Sequence, residues 1–185
     1  MILPITIYGN PVLRRKSQPI DKNYPGLKEL IANMFDTLKV SEGVGLAAPQ
    51  VGVNIRLVLI DATPFAEDDA NCKDFKLAII NPEIIDFPTD EEESFEEGCL
   101  SLPGLSEEVW RPDKVELTYY DENFVQHHET WDGMRARIFQ HEYDHLEGKM
   151  FIDHISAIKR RLLGGKLNAM AKGKVSARYR IVPNK

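Results

Sequence analysis

Apolar residues recur along the chain with two periods, and each predicts a different kind of element. Between Gly26 and Lys39, Leu27, Leu30, Ile31, Met34 and Leu38 return every three or four positions, the spacing of a helix face turned to a core. Met134, Ile138, His141 and His145 draw a second helical stripe, which predicts a helix near 133–147 with two histidines on its buried side. Asp132 is placed to cap its start and Gly148 to take the left-handed position past its end. Met150 and Phe151 would then fold back as the apolar contact that often follows such a stop. Tyr143 and Asp144 point off the stripe and read as a solvated face or as supporting partners. Short β-branched or alternating runs predict strands over 55–60, 76–80 and 114–120, and Asp121-Glu122-Asn123 reads as a hairpin loop into a strand over 124–131. Residues 10–15 read as a loop entering a short helix, and 67–74 and 90–93 as acidic solvated connections. A helix, then strands, then helices predict an α+β fold, with antiparallel or mixed β-sheets packed around the histidine-bearing helix and a C-terminal helix and tail behind it.

Composition narrows this picture without changing it. At 185 residues, 43% hydrophobic and 28% charged, with no internal repeat or linker, the chain reads as one domain over 1–185 that includes a basic segment at about 154–185. No run approaches the about 18 consecutive apolar residues of a membrane span, and the start has neither a basic region nor a long apolar one. A cytoplasmic protein with no membrane partner is expected. Cys72 and Cys99 are the only cysteines, too few for a disulfide framework, which leaves room for a free thiol with a chemical role. The net charge of −6 is uneven: nine Lys or Arg and no acid follow Asp153, leaving −15 on the remainder. Such a segment reads either as a solvated helix and tail or as a surface for phosphate backbones or other acidic partners.

The chemistry gathers in Gln140-His-Glu-Tyr-Asp-His-Leu-Glu-Gly148. Histidines four apart stand on one helix face, so His141 and His145 can share an ion, and Glu142 beside it can take a proton from water. A catalytic divalent metal usually has a third protein ligand. A glutamate far downstream is not available, because only Glu147 and Asp153 follow His145. The extended motif that ends in a third histidine fails as well, since Phe151 stands at that position. The third donor therefore comes from upstream, or His154 reaches back. His127 and His128 lie in a predicted strand, where neighbours face opposite sides, and read as surface residues. Cys99, in Glu97-Gly98-Cys99-Leu100-Ser101, is the better candidate, because its thiolate is a soft donor and Gly98 permits close approach. The segment Gly43-Val-Gly-Leu-Ala-Ala-Pro-Gln50 lacks the ending of a phosphate loop. It reads either as a small-residue passage for a substrate backbone, with Gln50 donating to a developing oxyanion, or as a tight turn under the sheet.

Together these three stretches, 43–50, 97–101 and 140–148, resemble the three signature motifs of peptide deformylase, in that family's order and spacing. Pro4-Ile5, Pro11-Val-Leu-Arg14 and the terminal helix extend the resemblance to nearly the whole chain. It implies a metal-dependent hydrolase that removes the N-formyl group from the formylmethionine of nascent chains and releases formate. By matching position it implies Cys99, His141 and His145 as ligands of one divalent metal per chain, ferrous iron natively, with zinc, nickel or cobalt able to substitute. Glu142 would carry the proton, and Gln50 and the N–H of Leu100 would hold the oxyanion. Val44, Gly45, Phe95, Glu97, Gly98, Met134 and Ile138 would meet the substrate. N-formylmethionyl peptides are the implied partners, with the ribosome reached through the basic segment from Lys159 and no specific DNA. One departure stands out: many bacterial members carry an arginine several residues past the cysteine motif, where this chain has Ser106-Glu107-Glu108 and then Arg111. A metalloprotease of another His-Glu-x-x-His class and a metal-stapled binding protein remain as rival readings.

Overall fold

The computed structural model describes residues 1–182 and 184. Along the chain come β1 (Ile5–Thr6), α1 (Leu27–Val40), β2 (Gly45–Ala47), β3 (Leu57–Asp61), β4 (Lys76–Asp86), β5 (Glu92–Gly98), β6 (Ser106–Pro112), β7 (Lys114–Tyr120) and β8 (Gln126–Asp132). α2 (Gly133–Leu146), α3 (Ala157–Leu162), α4 (Gly164–Ala171) and β9 (Ile181–Val182) follow. β2, β3, β4, β7 and β8 form a five-stranded antiparallel sheet in that order, β5 and β6 form a separate hairpin, and β1 and β9 pair in parallel. This is the expected α+β arrangement.

β3 explains how the two helices are held. Leu57, Val58, Leu59 and Ile60 are all fully buried, and alternate side chains of a strand face opposite sides of its sheet. Leu57 and Leu59 pack with Ile31, Met34 and Leu38 of α1, whereas Val58 and Ile60 pack with Ile138, Phe139 and Leu146 of α2. β3 is thus apolar on both faces because a helix covers each one. On the α2 side, Trp131 of β8 meets the ring of Phe139 edge-on with centroids 5.4 Å apart, within the about 4.5–7 Å of favourable aromatic pairs. A third cluster joins Ile7 and Leu13 to Leu102, Leu105, Phe151, Leu167 and Met170. It ties both ends of the chain to the turn after β5.

The predicted elements are present, with boundaries moved for physical reasons. β4 continues to Asp86 past a register shift between Ile80 and Glu83, where Asn81 sits at φ +48°. Asp132 precedes α2 as expected, but its carboxylate takes Arg135 at 2.9 Å and caps no backbone N–H. Gly148 does take the left-handed conformation, φ +71°, and Lys149 N–H returns to the carbonyl of Asp144 at 2.8 Å. A side chain at 148 would also strike the carbonyl of Arg14. Glu92 and Glu93, read as an acidic connection, open β5 instead. The passage 43–50 is no simple turn: Gly45–Ala47 forms an edge strand and Ala48–Val51 a 3₁₀ turn. The basic segment holds two short helices, broken at Leu163, and then an extended stretch that ends in β9.

Candidate metal centre

α2 presents His141 and His145 from successive turns, and the turn that leaves β5 presents Cys99. The candidate ligand atoms of all three lie within 4.8 Å of one another, and Cys99 Sγ is 3.3 Å from His145 Nε2. A thiolate and two imidazoles suit iron, zinc, nickel or cobalt. The other candidates for the third ligand lie elsewhere. His154 is bound to Asp144 at 2.7 Å, His127 to Asp121 at 2.8 Å and His128 to Glu116 at 2.6 Å. Cys72 is fully buried, and burial with Asp69 beside it pushes its thiol up to about 11.

Second contacts hold the triad in shape. His141 Nδ1 donates to Glu97 at 2.7 Å, which turns Nε2 toward Cys99 and fixes the tautomer. Glu97 in turn accepts Arg111 at 2.7 and 3.0 Å and Arg137 at 2.8 Å. Burial would raise its carboxyl, but His141 and Arg111 hold it well below the usual carboxylate range. Arg111 also reaches Asp144 at 2.9 Å, and Arg137 closes on the carbonyls of Val109 and Glu93 at 2.9 and 2.6 Å. Two buried guanidiniums, two carboxylates (Glu97 and Asp144) and the His141 imidazole thus form a single network, in which the buried charges are compensated rather than bare. Burial also raises the Cys99 thiol, but His145 and His141 more than offset this and bring it to about 5.

Glu142 lies on the same turn of α2 and is buried. Burial pushes its carboxyl up to about 7, the two histidines offsetting only part of the rise. Its Oε2, like His145 Nδ1, has no hydrogen-bond partner among the described residues. Gly45 leaves the space for it, since a Cβ there would stand 2.8 Å from the Glu142 carboxyl carbon. Gln50 approaches from the other side: its carbonyl accepts Ala47 N–H at 2.8 Å, which aims Nε2 at Cys99 Sγ, 3.4 Å away, and at Ser101 Oγ, 3.2 Å away. The N–H of Leu100, beside the cysteine, makes no hydrogen bond among the described residues.

These groups open on a cavity of about 420 Å³. Val44, Gly45, Phe95, Glu97, Gly98, Met134 and Ile138, the substrate-facing set from the sequence, all line it. Glu97 differs from the rest of that set, because its carboxylate is spent on three protein side chains. Asp144, left open as solvated or supporting, is supporting. Tyr143 packs against the core, with the Arg56 guanidinium 5.4 Å from its ring centroid. Sequence reasoning missed Arg137, Phe65, Arg178 and Tyr179, and met Arg111 only as the first arginine past the cysteine motif, with no role. Only Arg137 left a signal, as a charge one turn before His141 on the same helix.

The sequence profile of the polypeptide deformylase family matches residues 2–161. The chain is 49% identical to a peptide deformylase of Christiangramia forsetii, covering 98% of this chain and 95% of the relative. It is 46% identical to one of Flavobacterium psychrophilum over the whole of both. The crystal structure of a peptide deformylase from Thermus thermophilus superposes with a TM-score of 0.81 at 36% identity, covering 93% of this chain and 99% of that one.

Proposed function

The chain belongs to the peptide deformylase family, and on that premise we propose that Cys99, His141 and His145 hold the catalytic metal while Glu142 carries the proton. The protein is a metal-dependent hydrolase that removes the N-formyl group from nascent polypeptides. The observation that carries the site assignment is the convergence of a thiol and two imidazoles within 4.8 Å beside a buried, unpartnered carboxylate. We assign one divalent ion per chain, ferrous iron in the native enzyme, with zinc, nickel or cobalt able to replace it. Bound there, the metal supplies Lewis acidity that makes water a nucleophile near neutral pH.

The protein groups do the rest. Glu142 accepts the proton of the attacking water and delivers it to the leaving amine, a general base that becomes a general acid. Gln50 Nε2 and Leu100 N–H donate to the developing oxyanion. Gln50 does so with one of the Nε2 hydrogens that point at Cys99 Sγ and Ser101 Oγ. The outer edge of β2 is unpaired in its sheet, so a peptide adds there as a strand between Gly45 and Gly98, its formyl end at Glu142 and its first side chain among Val44, Phe95, Met134 and Ile138. Glu97 keeps His141 oriented.

The whole chain forms one catalytic unit in this reading. It works in the cytoplasm, where the basic segment from Lys159 docks on the ribosome. The segment's acid-free composition supports this, as do the exposed Ile158 and Leu162 on α3. Among the described residues no helix is long and apolar enough to cross a membrane. The test is formate release from formyl-Met-Ala-Ser by anaerobically purified protein, with metal analysis on the same sample. Formate with one iron per chain is expected. Internal peptide cleavage without formate, or metal-loaded protein that releases none, overturns the reading.

A further inference from the structure

The extended stretch after α4 comes back to the cavity. Tyr179 Oη donates to the carbonyl of Leu100 at 2.7 Å, and its half-buried ring packs with the α1 cluster that includes Leu100. Two residues later β9 pairs with β1, and Ile5 N–H donates to the carbonyl of Arg180 at 2.8 Å. The arm is therefore fixed immediately after Arg178. That residue lines the cavity together with Tyr179 and pairs with Glu42 at 3.3 Å, while its own side chain is 90% exposed.

The position along the groove follows from chain geometry. Gly45 stands against Glu142, and Glu42 lies three residues back along the same segment, at most about 10 Å at the rise of an extended chain. A peptide in the groove advances by about 3.3 Å per residue, so it has come level with Glu42 and Arg178 by its third residue. The fixed charges on this rim are two carboxylates, Glu42 and Glu96, and one guanidinium, Arg178. Glu96 accepts a hydrogen bond from Ser106, and Glu97 is neutralised within its own network. Arg178 is thus the one cation on the described rim that faces solvent, since Arg137 is turned inward to Glu97.

We propose that Arg178, pinned over the groove by Tyr179, is a specificity residue for the peptide: it favours a carboxylate at the third position, with Glu42 as its counterweight when the groove is empty. This rests on the deformylase reading. Without Arg178, Glu42 and Glu96 leave a rim that repels an acidic peptide and attracts a basic one. Tyr179 is a positioning residue in this arrangement, because it acts only through the place it gives its neighbour.

The experiment uses the metal-loaded full chain and two amidated peptides, formyl-Met-Ala-Glu-amide and formyl-Met-Ala-Lys-amide, at low salt. The readout is the ratio of their kcat/KM values, glutamate over lysine. R178E is expected to lower that ratio about tenfold and R178A about threefold, the scale of exposed ion pairs, with both effects shrinking in high salt. E42Q moves it the opposite way, since it frees the guanidinium. Y179F lowers the ratio in the same direction as R178A, because the pin is lost while the charge is kept. A ratio unmoved by R178E and R178A, with formate released from both peptides, overturns this inference and leaves the enzyme assignment standing. Formate from neither peptide overturns both.

Discussion

Glu97 shows how much of the site depends on a residue that touches no metal. Its carboxylate holds His141 and neutralises Arg111 and Arg137, all of them largely buried. In E97Q the geometry survives, but Arg137 loses its counter-charge and Arg111 keeps only Asp144. A loss of about 3–5 kcal/mol in unfolding free energy is expected, the cost of breaking a buried pair. Metal affinity is expected to fall about 10- to 100-fold, as when a ligand loses its orienting partner. Equilibrium denaturation and a metal competition titration check the two effects separately. Local chemistry was partly legible here: ligand spacing singles out His141, Glu142 and His145, the ligands that the downstream sequence lacks make Cys99 the better candidate for the third, and the family resemblance implies the full set. The arginines were not legible. A charged residue in a strand reads as solvent-facing, and only the fold brings β6 and α2 to either side of Glu97.

At the scale of elements, α2 is held by its apolar back as firmly as its front is held by the network. Phe139 is fully buried between Trp131 and Tyr143, with ring centroids 5.4 and 5.6 Å away. F139A is expected to cost about 3–5 kcal/mol, as large-to-small core changes at aromatic positions do. Denaturant midpoints of the metal-loaded protein would measure it, and a loss below 1 kcal/mol would mean that α2 is held mainly by its polar face. α1, α2 and β7 were readable because their periods are strong and their solvated faces polar. β5 was not, since Glu-Glu-Ser-Phe-Glu-Glu-Gly carries charge on both faces and is exposed almost throughout. It is a strand because β6 pairs with it along its whole length and because Arg111 and Arg137 draw Glu97 inward. The same holds for β2, three small residues that become a strand only through pairing with β3.

In the whole molecule the first and last segments pack together beside the turn after β5. Arg14 near the start and Arg160 in α3 both bind Asp153, at 2.6 Å each, and Asp153 also accepts Met150 N–H at 2.9 Å. Burial raises the Asp153 carboxyl, but Arg14 and the Met150 N–H more than offset this and hold it below its ordinary value. The unfolded chain therefore binds a proton there before the folded one does. The stability from this junction is present above about pH 4, the ordinary aspartate value, and is lost as the pH falls through the lower folded value. D153N is expected to cost about 1 kcal/mol at neutral pH, because solvent screens a partly exposed pair, and to cost progressively less in acid. Parallel unfolding curves for wild type and D153N at pH 7 and pH 3 check the sign.

The account as a whole stands on one carboxylate beside three metal donors, and E142Q isolates it. The change keeps the shape of the side chain and removes its capacity to carry a proton. The most direct measurement is formate release from formyl-Met-Ala-Ser by E142Q, with the metal content of the same sample determined alongside. One metal per chain with formate release reduced by about 10²- to 10⁴-fold, the usual share of a general acid–base group, is the expected result. Full metal content with activity equal to wild type would contradict the role given to Glu142.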